Sequence, residues 1–66
     1  MKIVYQGAEA ETDAADVAAF LASRLSDLSK ALVEYRGEVF GPGGDLSALK
    51  LEEGAELNVF QIVAGG

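Results

Sequence analysis

The chain has 66 residues, of which five are basic and eleven acidic, for a formal charge of −6. That balance argues against nucleic acid as a partner, because phosphate contacts need clustered Lys and Arg. There is no Cys and no His, so a disulfide, the usual metal staples, a catalytic thiol and an imidazole base are all excluded, and the fold must rest on packing alone.

The length points to one domain, residues 1–66. No apolar run is long enough to span a bilayer, and the first residues lack the apolar core of a signal peptide. We therefore expect a cytoplasmic protein with no membrane association. The acidic excess suits a basic protein partner and equally serves the solubility of a small, half-apolar chain.

Met1 to Gln6 reads as a strand, with Ile3 and Tyr5 on one face and Val4 on the other. Gln6-Gly7 is a turn signal, and Ala8 to Glu11 reads as a short return strand despite poor β-propensity. Thr12 or Asp13 is expected to cap a helix reaching Leu28 or Lys30, with Asp16 near its positive end. Val17, Phe20, Leu21, Leu25 and Leu28 recur at helical spacing and form one apolar stripe. Alanines at 14, 15, 18, 19 and 22 add helix propensity and permit close approach to a sheet. Ser23, Ser26 and Ser29 lie along the flank. A serine nucleophile needs a base beside it, so these read as solvated positions.

Ala31 to Tyr35 is the next strand, Arg36-Gly37 a tight turn and Glu38-Val39-Phe40 a short strand. Gly41-Pro42-Gly43-Gly44-Asp45 is glycine-rich, but a phosphate loop requires a Lys beside Ser or Thr, and Asp45 repels phosphate, so the segment reads as a connector. Leu46 to Leu51 is expected to be a helical turn or irregular segment closing the core. Glu52-Glu53-Gly54 reads as a turn rather than an acid–base pair, because adjacent carboxylates diverge and nothing apolar surrounds them. Glu56 to Val63 is the last strand. The order is β-β-α-β-β-β. One amphipathic helix must bury its stripe on one face of a mixed sheet, an α+β arrangement with Ile3, Tyr5, Leu57 and Val59 facing the helix.

The last strand is asymmetric. Its inner set, Leu57 and Val59, belongs to the core. Its outer set begins polar at Glu56 and Asn58 but turns apolar at Phe60 and Ile62. Two apolar residues on an outer face suggest a partner-docking patch, which Val4 would join from a neighbouring strand. The alternative is that Phe60 lies under a loop or in a dimer contact. The strand runs into Ala64-Gly65-Gly66. Glycine carries no Cβ, so such an end can thread a narrow channel, and its carboxylate has no steric cover. We expect this tail, 64–66, to be flexible. Without thiol, imidazole or evident metal site, the free carboxylate of Gly66 is the one group left with reactive potential, if a partner activates it. The chain is then a cosubstrate with no catalytic residue of its own and no bound cofactor, rather than an enzyme.

Leu57-Asn58-Val59-Phe60-Gln61-Ile62-Val63-Ala64-Gly65-Gly66 resembles the ending of the ThiS family of thiamine-pathway sulfur carriers. Glu53-Gly54-Ala55-Glu56 is similar to the family's Asp-Gly-Asp turn, and Met1-Lys2-Ile3-Val4-Tyr5 to its opening. The chain departs from the family's pattern at Arg36-Gly37 and in the Gly41–Gly44 loop. The resemblance implies a ubiquitin-like β-grasp fold. It implies adenylation of Gly66 by a ThiF-like enzyme that uses ATP, and conversion to a thiocarboxylate with sulfur from a donor such as a cysteine desulfurase. Delivery would be to a ThiG-like thiazole synthase, for the thiazole of thiamine. Gly65 and Gly66 would be the activated tail, with Phe60 and Ile62 docking. Two alternatives share the tail. One is a carrier for another pathway, like the small subunit of molybdopterin synthase (MoaD), which is usually longer and has prolines before its ending. The other is a ubiquitin-like modifier joined to target lysines.

Overall fold

The computed structural model describes residues 1–24, 30–41 and 44–61. Strand β1, Lys2–Tyr5, turns at Gln6-Gly7 into β2, Ala8–Glu11. The two turn residues have φ of 52° and 81°. Positive φ at both centres is the mirror-image hairpin turn, whose twist matches that of the flanking strands. The same geometry, 52° and 86°, recurs at Arg36-Gly37 between β3, Ala31–Tyr35, and β4, Glu38–Phe40. Strand β5, Glu56–Gln61, lies between the two hairpins and gives the order β2-β1-β5-β3-β4. It runs parallel to β1 and antiparallel to β3, so the sheet is mixed. Ala8–Glu11 forms a strand in spite of its composition because its register sets Ala10 beside buried Ile3 and leaves Glu9 and Glu11 on the outer face.

The helix, α1, spans Val17–Ala22. It starts later than the alanine-rich run suggests, and its cap is Asp16, not Thr12 or Asp13. The Asp16 carboxylate accepts the Ala19 N–H at 2.8 Å, and Ser23 is the C-cap. Thr12 instead accepts the Ala14 N–H at 3.0 Å in a local turn. The cause of the delay is tertiary. The Val17 N–H donates to the Leu49 carbonyl, and the Leu51 N–H donates to the Ala15 carbonyl, at 2.9 and 3.0 Å. Asp16 thereby forms a bridge with Lys50, and a backbone committed to that bridge is extended, so helical propensity loses. The further course expected toward Leu28, with Leu25, Ser26 and Ser29, lies outside the described residues.

Val17, Phe20 and Leu21 of α1 pack with Ile3, Val33, Leu57 and Val59 of the sheet in one buried cluster. Tyr5 is half-buried and meets Phe20 edge to face, ring centres 5.0 Å apart, as its expected inward direction requires. The Arg24 guanidinium covers the Phe20 ring at 4.0 Å, which shields an apolar edge while keeping the charge in water. A short 3-10 turn, Leu46–Ala48, closes the core with Leu46, followed by Leu51. Among the described residues, one short helix and a mixed five-stranded sheet make an α+β structure. No helix among the described residues is long and apolar enough to cross a membrane.

The segment after the 3-10 turn is fastened by Tyr35. Its buried ring brings the hydroxyl under residues 50–52, where it donates to the Lys50 carbonyl at 2.7 Å and accepts the Glu52 N–H at 3.1 Å. Both backbone groups would otherwise be partly buried without a partner, so the hydroxyl is what lets this crossing lie against the sheet.

Candidate functional site

Among the described residues, those the sequence singles out for possible chemistry have defined neighbours. Glu52 pairs with Arg36, both side chains exposed. Glu53 accepts the Lys2 N–H at 2.9 Å, where β1 begins, while Gly54, at φ +80°, returns its own N–H to the Lys2 carbonyl at 2.7 Å. The two carboxylates therefore point to different partners and are not an acid–base pair. Ser23 donates to the Phe20 carbonyl at 3.0 Å, the ordinary back-bond of a helical serine. Asp45 accepts the Ser47 N–H at 3.2 Å and caps the 3-10 turn. Its carboxylate is committed to Ser47, and Pro42 and Gly43 lie outside the described residues. Among the described residues no three acidic side chains gather into a metal site.

The outer face of the sheet is where the structure departs from a plain solvated surface. Strand alternation puts Leu57 and Val59 inside and Glu56, Asn58 and Phe60 outside. Phe60 is 55% exposed, so it is not under a loop. Across the sheet its partner is Leu32 of β3, which is half-buried. One step along, Asn58 faces Glu34 and donates to its carboxylate at 3.0 Å. On the far side of Glu34 stands Val39 of β4, 64% exposed. The result is an apolar group, Phe60, Leu32 and Val39, around a tied polar pair.

Val4 does not belong to that group. The parallel register sets it against Glu56, four residues before Phe60, or about 13 Å along the strand at roughly 3.3 Å per residue. Period-two alternation gave the correct face for Val4 but not its position along β5. Leu32 was within reach of the same reasoning. Ala31, Val33 and Tyr35 are buried and Leu32 and Glu34 only half-buried, so the alternation of β3 marks Leu32 as outward. Glu9, Glu11, Glu34 and Glu56 share this outer face with Lys2, so the face as a whole is acidic, and Glu34 is the carboxylate nearest Phe60 and Leu32.

Ile62, Ala64, Gly65 and Gly66 lie outside the described residues. Strand β5 is described through Gln61, whose neighbour on β3 is Ala31. No family model, curated protein or solved structure matches the chain.

Proposed function

We propose that this chain is a sulfur carrier of the ThiS type, whose Gly66 carboxylate is adenylated and then converted to a thiocarboxylate. The observation that carries the reading is the course of one strand. Central β5 exposes Phe60 beside Leu32 on an acidic face, and the sequence then continues within five residues to Gly65-Gly66. The proposed docking residue thus stands six positions before the proposed reactive end in the sequence. A mixed sheet with one helix over one face, among the described residues, supports the finer reading as a ubiquitin-like β-grasp.

In this reading a carboxylate oxygen of Gly66 attacks the α-phosphorus of ATP on a ThiF-like enzyme, and pyrophosphate leaves. A persulfide of the sulfur donor then attacks the acyl carbon and expels AMP, and a thiol reductant cleaves the S–S bond of the resulting acyl disulfide, leaving sulfur in place of one oxygen. The protein contributes no acid or base. It supplies a terminus slim enough to enter another active site and a face by which that site holds it. A cysteine desulfurase as sulfur source and a ThiG-like thiazole synthase as acceptor complete the proposal.

The test is the intact mass of the protein, from its native host or after incubation with a ThiF-like enzyme, ATP and a sulfur source. Replacement of one oxygen by sulfur, localised to Gly66, establishes the carrier. An unmodified mass beside a demonstrably active partner refutes it. Isopeptide-linked adducts in cells would instead identify a modifier.

A further inference from the structure

Glu34 stands in the middle of the apolar group on the outer face. In one cross-strand row it lies between Asn58 of β5 and Val39 of β4. In the next row, about 7 Å along the strands, Leu32 and Phe60 face each other. The carboxylate is thereby bordered by apolar side chains from β3, β4 and β5. Its Oε1 accepts the Asn58 side-chain N–H at 3.0 Å. That bond fixes the direction of the group and leaves its charge intact, because an amide is neutral. Among the described residues, which include every Lys and Arg of the chain, the one ion pair joins Arg36 to Glu52. The protein therefore holds an oriented, uncompensated carboxylate inside an exposed apolar patch.

From this we infer that the outer face docks a protein that presents an arginine among apolar side chains, and that Glu34 is the residue that selects it. An arginine fits better than a lysine. Its planar fork bonds a carboxylate through two parallel N–H groups, and its weakly hydrated face can lie on the Phe60 ring at the same time. Charge opposes the other occupants. Glu9, Glu11 and Glu56 share the face with Lys2, and the chain carries −6, so nucleic acid and an anionic membrane are repelled. A second copy packed face to face would set like charges against each other. The inference rests on the carrier reading only for the identity of the partner, a ThiF-like enzyme. The face itself stands on Glu34 and its neighbours.

Glu34→Gln removes the charge and keeps an oxygen that accepts from Asn58, so the sheet is undisturbed. Glu9→Gln is the control. It makes the same change of net charge on the same face, but two strands from β5 and in the row of Glu56 rather than that of Phe60. In surface plasmon resonance against a ThiF-like enzyme, Glu34→Gln should raise Kd about tenfold, through koff. Glu9→Gln should raise it about twofold or less, through kon. Equal effects of the two would overturn the inference by reducing Glu34 to its share of the net charge, and so would an unchanged Kd for Glu34→Gln. If the unaltered protein does not bind that enzyme, it is the carrier reading that fails, and a probe then decides the face alone. Titrating the isotope-labelled protein with acetyl-Leu-Arg-Leu-amide should shift the NMR signals of the Asn58 side-chain amide and the backbone amides of Leu32, Val39 and Phe60. The lysine form of the peptide, or the Glu34→Gln protein, should give about half those shifts or less. Shifts spread equally over Glu9 and Glu11, or none at millimolar peptide, would overturn the inference. So would a dimer in sedimentation velocity that Val39→Ser dissolves, which would give the face to a second copy.

Discussion

Replacing Tyr35 by Phe removes one oxygen from a site where two backbone groups depend on it. The ring is 5% exposed and remains in the core, so the apolar contribution is nearly unchanged. The Lys50 carbonyl and the Glu52 N–H lose bonds of 2.7 and 3.1 Å. At about 1 kcal/mol net per bond, the variant should lose about 2 kcal/mol, rising toward 3 if neither group finds water. For a chain of this length that corresponds to a fall in Tm of roughly 8–16 °C. Urea unfolding followed by circular dichroism is the assay, and with m near 1 kcal/mol/M the midpoint should move down by about 2 M. The m-value should not change, since the same surface is exposed on unfolding. A loss below about 0.5 kcal/mol would refute the argument, because it would mean that the hydroxyl is not what satisfies the crossing at residues 50–52. A large loss with a smaller m would also refute it, by showing that the native state itself had loosened.

Phe60→Ala should leave stability within about 0.5 kcal/mol, because the ring is mostly in water. In the same protein KM for a ThiF-like enzyme should rise about tenfold, the cost of truncating one anchor worth about 1.4 kcal/mol; an unchanged KM removes Phe60 from the interface. Asp16→Ala should cost about 1 kcal/mol in urea unfolding through loss of the helix cap, whereas Asp13→Ala should fall within about 0.5 kcal/mol. The reverse order would move the cap back to where propensity alone puts it.

The strands were legible because their signals are local. Both primed turns announce themselves as residue-plus-glycine pairs between alternating segments, and β3 and β4 follow at Ala31–Tyr35 and Glu38–Phe40 as read. The start of α1 was not legible. Alanines 14 and 15 favour helix in any window, and only the partner segment at 49–51, far along the chain, holds Ala15 and Asp16 out of it. The same distance effect hid two features of the sheet. Alternation assigns a face but not a neighbour, so it groups Val4 with Phe60, whereas the register holds them apart. Gln6 reads as a turn residue because its backbone is one. Its side chain accepts the Val59 N–H, 53 positions away, and nothing in the local pattern marks it.

The sheet order has a bearing on how the molecule is made. Its middle strand, β5, is the last of the five to be synthesised. Until it emerges from the ribosome, β1–β2 and β3–β4 are separate hairpins with no neighbour in common, and an isolated hairpin is at best marginally stable in water. Joining β5 to β1 closes a loop of more than fifty residues, as between Val4 and Glu56. Its entropic cost is met before most of the core contacts exist. A nascent chain that ends before Glu56 therefore has two unsatisfied sheet edges and no native state to fall into. Folding is coupled to delivery of the very strand that carries Phe60 and leads to Gly66.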